Sequence, residues 1–156
     1  MKIRKAETRD FIPIAALDRE AWKENRNSQF IPDGEHVWRL WMEHALVYCA
    51  ENDGQIVGAI LAFPSIKGIY CIHKVFVSSA CRGTGIGSEL FSVLLNEIDK
   101  KQAEAFLTVD PDNSAAISLY SKWGFTDQLH VKGYYREEED RLVLTRHANA
   151  IKRHSV

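Results

Sequence analysis

The stretch that most restricts the fold is VFVSSACRGTGIGSELF, residues 75–91. A β-type run, Val75-Phe76-Val77, breaks into small residues, three glycines alternate at Gly83, Gly85 and Gly87, and a helical pattern follows. From Ile86 the residues Leu90, Val93, Leu94 and Ile98 recur on one helical face. Ala105 to Val109, AFLTV, reads as a strand again. The segment is therefore a β-α-β crossover whose first turn holds the glycines. Glycines at such a junction let a ligand approach the backbone closely.

What precedes the loop is antiparallel. LVYCAENDGQIVGAILAF places two β-rich runs around Asn52-Asp53-Gly54, a hairpin signal. Pro64 to Gly68 then leads into IYCIHKVFV, completing a three-strand meander. Ile3 lies in a short opening strand. In TRDFIPIAALDREAW, Pro13 is tolerated only in a first helical turn, so Asp10 is expected as the cap, with Phe11, Ile14, Ala15 and Trp22 on one face. A polar loop, ENRNSQFIPDG, precedes a second helix carrying Val37, Trp38, Trp41 and Ala45. Trp22, Trp38 and Trp41 suit core packing or a ligand-facing wall. DPDNSAAISLYSKWGF reads as a turn, an Asn or Asp cap, a short helix and a stop at Gly124. Two β-rich runs close the chain, Phe125 to Tyr135 and Arg141 to Thr145, around an acidic hairpin loop. The expected architecture is α/β (α+β): one domain over residues 1–146, a mixed, mostly antiparallel twisted sheet of six to seven strands with about four helices. The tail 147–156 lacks periodicity and is expected to be mobile.

At 156 residues with 46% hydrophobic and 26% charged positions, the composition is that of one ordinary globular domain. Net charge of −1 removes the broad electrostatic case for nucleic acid or an anionic membrane as partner. No apolar run reaches a membrane span, and no signal peptide is evident at the start. The three cysteines, Cys49, Cys71 and Cys81, form no CxxC and suit reduced thiols in a cytoplasm. Cys71-x-His73 lacks further ligands at metal-site spacing, so no metal is expected.

A phosphate suits the glycine turn: amides converge on an anion, the following helix adds its positive end, and Arg82 stands at the lip. A P-loop would need a lysine after the final glycine, and Ser88-Glu89 supplies none. A Rossmann fingerprint would need GxGxxG, whereas Gly83-Gly85-Gly87 is GxGxG after a meander. The pattern that fits is Arg82-x-x-Gly85-x-Gly87. Here the chain resembles the GCN5-related N-acetyltransferase (GNAT) family, whose motif is Arg/Gln-x-x-Gly-x-Gly/Ala between a strand and a long helix. IRKAETRD, NSAAISLYSKWGF and GYYREEEDRLVLTR resemble further family segments in family order, so the likeness spans roughly residues 1–146.

The resemblance implies an acetyl-CoA-dependent N-acetyltransferase acting on a primary amine by direct transfer in a ternary complex. It implies that the backbone of Val75 and Val77 pairs with the pantetheine arm, and that Arg82, Gly83, Thr84, Gly85, Ile86, Gly87 and Ser88 wrap the pyrophosphate. Asn113 matches the family asparagine near the pantetheine or pyrophosphate, though Asn is also a favoured helix cap. Tyr120 matches the tyrosine facing the coenzyme sulfur, where it would protonate the thiolate; a core aromatic is the plain alternative. His73, two residues before Val75 on the same expected face, occupies the place of a family glutamate and suits a base for the amine, or a hydrogen-bonded structural role. The acceptor, a small amine or a peptide amine, is expected near Trp22–Trp41 and His130–Tyr135. A homodimer is allowed, being common in the family. The competing function is an acyl-CoA-binding sensor without catalysis.

Overall fold

The computed structural model describes residues 1–24 and 31–148. The middle of the expected polar loop and most of the expected mobile tail lie outside the described residues. Among the described residues there are seven strands and four α-helices. In order these are β1 (Lys2–Lys5), α1 (Phe11–Glu24), α2 (Glu35–His44), β2 (Leu46–Asn52), β3 (Gln55–Pro64) and β4 (Tyr70–Val77). Then come α3 (Ile86–Lys100), β5 (Ala105–Val109), α4 (Ser114–Lys122), β6 (Phe125–Val131) and β7 (Arg141–Arg146). The sheet order is β1-β2-β3-β4-β5-β7-β6. β4 and β5 pair in parallel; the pairs β1–β2, β2–β3, β5–β7 and β6–β7 are antiparallel. The mixed, mostly antiparallel sheet with four helices is the architecture expected from the sequence.

The chain divides into two compact units, Met1–Phe63 with His73–Asn96, and Pro64–Ile72 with the chain from Glu97 onward. In the first, Asp53 and Gly54 both take positive φ, 50° and 78°, as a two-residue hairpin turn between right-twisted strands demands. Alternate residues of the hairpin enter a core with both first helices: Val47, Cys49, Ala59 and Leu61 pack with Ile14, Ala15, Trp38, Met42 and Phe76. Gly58, of opposite parity, lies under α3. A Cβ there would meet the Phe76 carbonyl oxygen at 3.2 Å and Ile86 Cγ2 at 3.3 Å, so only glycine lets the helix sit this close. Pro13 falls in the first turn of α1, as expected. Asp10 directly precedes α1, the place expected for its cap, and has a further task. Its carboxylate closes a capping box around the 3₁₀ turn Thr8–Asp10 and receives both terminal nitrogens of Arg4, at 2.7 and 3.0 Å.

In the second unit, Ala105, Leu107 and Val109 alternate inward on β5, with Phe125 and Leu144 fully buried. Arg146 binds the buried Asp99 through two nitrogens, at 2.7 and 3.0 Å, and donates Nε–H to the Trp123 carbonyl at 2.9 Å. β6 stops at Val131 instead of running to Tyr135. Gly133 turns at φ +61° and its amide donates to Asp140, while the Tyr134 amide donates to Glu139. Those bonds replace the ladder that the β-rich composition suggested.

Candidate active site

In the first unit β4 runs into a short 3₁₀ turn, Ser79–Cys81, and then the glycine loop. Gly83 and Gly85 stand at φ +78° and +86°, conformations that L side chains rarely adopt. Thr84 closes the turn by donating its hydroxyl to the Cys81 carbonyl at 2.5 Å. Glu89 donates to the Gly85 carbonyl at the head of α3, at 3.0 Å. The amides of Ile86, Gly87 and Ser88 precede that bond and have no intrahelical acceptor. They point out of a helix N-terminus with its partial positive charge, which suits a phosphate group. Gly87 has ordinary φ, and a Cβ on it would meet protein only at Val77 Cγ2, 4.0 Å away. The Ile86 side chain is buried beneath α3, so only its backbone is available to a ligand. Arg82 is held at the lip: it donates to Glu24 at 2.7 Å and to the Val77 carbonyl at 3.3 Å.

The same strand carries His73 within an ionic cluster. His73 Nε2 lies 3.0 Å from Asp33 Oδ2, and its ring packs against Trp41 and Phe63 at 5.6 and 5.7 Å between centroids. Lys74 Nζ reaches the same Asp33 oxygen at 2.8 Å and both oxygens of Asp18 at 2.8 and 2.7 Å. Asp18 is buried on α1 and also accepts the Trp38 Nε1–H at 3.0 Å. Strict alternation would set His73 with Val75 and Val77. Its ring contacts Trp41 and Phe63, and Val77 lies nearest Gly87. Trp38 is core, fully buried, whereas Trp22 and Trp41 are half-buried. Asp18, Asp33 and Lys74 were missed from the sequence. The readable signal was Asp18, an acidic residue on the apolar face of α1 marked by Ile14 and Ala15.

The second unit holds Asn113 and Tyr120. Asn113 Oδ1 caps α4 by accepting the Ala116 amide at 3.2 Å, and the Asn113 side chain is exposed to solvent. The cap uses the oxygen alone and leaves the two side-chain N–H donors for another partner. Tyr120 is half-buried between Trp123 and Phe125, centroids 6.3 and 6.0 Å away, and burial raises its pKa above the ordinary tyrosine value. The phenol is thus kept protonated. A cavity of about 340 Å³ on this unit is lined by Ile66, Ile69, Phe106, Tyr134 and Val143, with Lys67 at its edge. Beside it Tyr135 bonds Thr108 at 2.7 Å and lies under the Arg141 guanidinium. Among the described residues no three His, Cys, Asp or Glu side chains are grouped for a metal, and no helix is long and apolar enough to cross a membrane.

A family model described as acetyltransferase (GNAT) family matches residues 12–125, well over half of the 156. The chain belongs to the GNAT family. It is 29% identical to an N-alpha-acetyltransferase of Sulfurisphaera tokodaii, over 92% of this chain and 90% of that protein. Its fold matches the ribosomal-protein-S18-alanine N-acetyltransferase of Escherichia coli with a TM-score of 0.77 at 21% identity, covering 95% and 94% of the two chains. A chain of the NatC complex bound to Gag peptide and CoA matches with a TM-score of 0.72 at 23% identity, covering 96% of this chain and 100% of that one. The protein is therefore an acetyltransferase, and the donor used by its family is acetyl-CoA. The loop from Arg82 to Ser88 fits that donor: first-turn amides without an intrahelical acceptor, a cation, and space at Gly87 that a side chain would fill.

Proposed function

We propose that the protein moves an acetyl group from acetyl-CoA directly to a primary amine while both are bound, with residues 1–146 acting as the catalytic domain. The observation that carries this reading is the head of α3, where first-turn amides without an intrahelical acceptor, the positive-φ glycines and Arg82 make a seat suited to a pyrophosphate. When bound, the coenzyme supplies an activated acyl thioester. Amides from Gly83 to Ser88 hold its phosphates, the Val75 and Val77 backbone pairs with its arm in the manner of an added strand, and Asn113 donates to it through Nδ2. Tyr120, kept protonated by burial, gives its proton to the departing sulfur. His73 takes the proton from the incoming amine. Burial pushes the thiols of Cys49 and Cys71 up to about 11, so neither of these two is a ready nucleophile.

The likeness to an N-alpha-acetyltransferase over nine tenths of both chains puts a peptide α-amine first among acceptors, ahead of a small amine. The test is thiol release by the purified protein with acetyl-CoA over a panel of N-terminal peptides, lysine peptides and small amines. Amine-dependent release with intersecting initial-rate lines is expected. Coenzyme binding without amine-dependent release across the panel would make the protein a sensor. Parallel lines would replace direct transfer by an acyl-enzyme.

A further inference from the structure

His73 is held by a residue 40 positions away, and the chemistry of that contact determines which ring atom is basic. Asp33 stands just ahead of α2, where its Oδ2 meets both His73 Nε2, at 3.0 Å, and Lys74 Nζ, at 2.8 Å. The hydrogen bond from His73, aided by Lys74 against the cost of burial, lowers the Asp33 pKa to about 2. At neutral pH the carboxylate has lone pairs only, so the proton in the contact sits on His73 Nε2. The neutral ring is then the Nε2–H tautomer, and its lone pair lies on Nδ1. Lys74 does not compete for the ring; it is pinned by Asp18, itself fixed by Trp38. Trp41 and Phe63 bound the ring edge-on and contribute no titratable group. Two carboxylates and one ammonium give the cluster a charge of −1 beside neutral His73 and zero once the ring is protonated.

We infer that Asp33 is a positioning residue for His73: it fixes the Nε2–H tautomer, leaves Nδ1 as the basic atom, and balances the charge of a proton taken there. The inference rests on His73 being the base. In that step an N–H bond of the incoming ammonium breaks, its electron pair stays on the amine nitrogen, and an Nδ1–H bond forms. Nε2–H remains on Asp33 throughout. The two-proton imidazolium then passes its Nδ1 proton to solvent.

The test uses the full chain. ¹⁵N–¹H correlation spectra of the histidine rings read the tautomer, and amine-dependent thiol release reads turnover, in wild type, Asp33→Asn, Asp33→Glu and His73→Gln. Asp33→Asn keeps the size but can face the ring with either an oxygen or an amide, so it no longer dictates the tautomer. Wild type should show Nε2–H, and Asp33→Asn a mixture of tautomers. Turnover of Asp33→Asn should fall by about tenfold or more, with the KM for acetyl-CoA within about twofold. Asp33→Glu should restore most of the rate, and Asp33→Asn should cost nothing further in the His73→Gln background. An Nδ1–H ring in wild type, or wild-type turnover and spectrum in Asp33→Asn, would overturn the inference. Wild-type turnover in His73→Gln would overturn the base reading instead; it is distinguishable, because Asp33→Asn would still alter the ring spectrum.

Discussion

Replacing Gly87 by valine separates coenzyme binding from folding. Gly85 cannot serve this purpose: at φ +86° any side chain adds backbone strain of about 1–2 kcal/mol, and lost binding would be confounded with lost structure. Gly87 has no such constraint, and its Cβ would meet Val77 Cγ2 only at 4.0 Å. In a helix valine is better than glycine by at most about 0.5 kcal/mol, which in a chain of this size moves Tm by roughly 2 °C or less. The effect on the ligand is far larger. The side chain would stand where a phosphate approaches the Gly87 and Ser88 amides, each charge-assisted bond being worth about 1.5–3 kcal/mol. Losing about 3 kcal/mol is roughly a 10²-fold loss of affinity. Calorimetric titration with CoA measures that loss directly, and melting with and without CoA should show the ligand-induced rise in Tm shrinking sharply. Gly87→Ala is the control, since the family motif admits alanine there; it should keep most of the affinity. A folded Gly87→Val protein that binds CoA like the wild type would refute the placement of the pyrophosphate at the head of α3.

Tyr120→Phe keeps the ring between Trp123 and Phe125 but loses the proton, so single-turnover acetyl transfer should slow about 10²-fold with CoA affinity unchanged. Because burial raises the Tyr120 pKa, this group should cause no alkaline loss of activity below its ordinary value of about 10. Arg146→Met should cost about 3–5 kcal/mol in urea unfolding, because it removes the two-nitrogen partner of the buried Asp99 carboxylate and the donor to the Trp123 carbonyl; adding Asp99→Asn should recover much of it. A loss below about 1 kcal/mol would mean that water replaces the guanidinium. Asp33, lowered to about 2 in the fold, contributes stability that is present above about pH 4 and lost as pH falls toward 2. The contribution is at most about 2 kcal/mol after allowing for its partial exposure, and acid unfolding of Asp33→Asn should lack that component.

Local signals in the sequence were read well where local chemistry decides the conformation. Asn52-Asp53-Gly54 signalled a hairpin and Asn113 offered a cap, and both are found; the positive φ at Gly83 and Gly85 is a conformation that glycine permits. What the sequence concealed depends on residues far apart in the chain. Nothing in the β-rich run at Arg141 to Thr145 says that it inserts between β5 and β6, since strand order follows from which edges remain to be covered. The end of β6 at Val131 depends on the Gly133–Asp140 and Tyr134–Glu139 bonds, which composition alone cannot supply. The glycine loop was legible as a candidate phosphate seat because its residues are contiguous in the chain. The His73 cluster was not, because Asp18, Asp33, Trp38 and Lys74 come from three elements and the segment before α2, far apart in the chain.

The edge-on contact between Trp41 and His73 also gives this protein an internal optical gauge. A protonated imidazole beside an indole quenches its emission by accepting an electron from the excited ring, whereas a neutral one quenches far less. Trp41 is half-buried and stacks on Phe63 with an interplanar angle of 2°, and Phe63 also packs against the His73 ring, so the three rings hold one another in place. The emission lost on replacing Trp41 by phenylalanine, followed against pH, therefore reports the charge on one imidazole among the chain's 6 histidines. The proton on the candidate base can in this way be watched in unlabelled protein, before any acceptor amine is known.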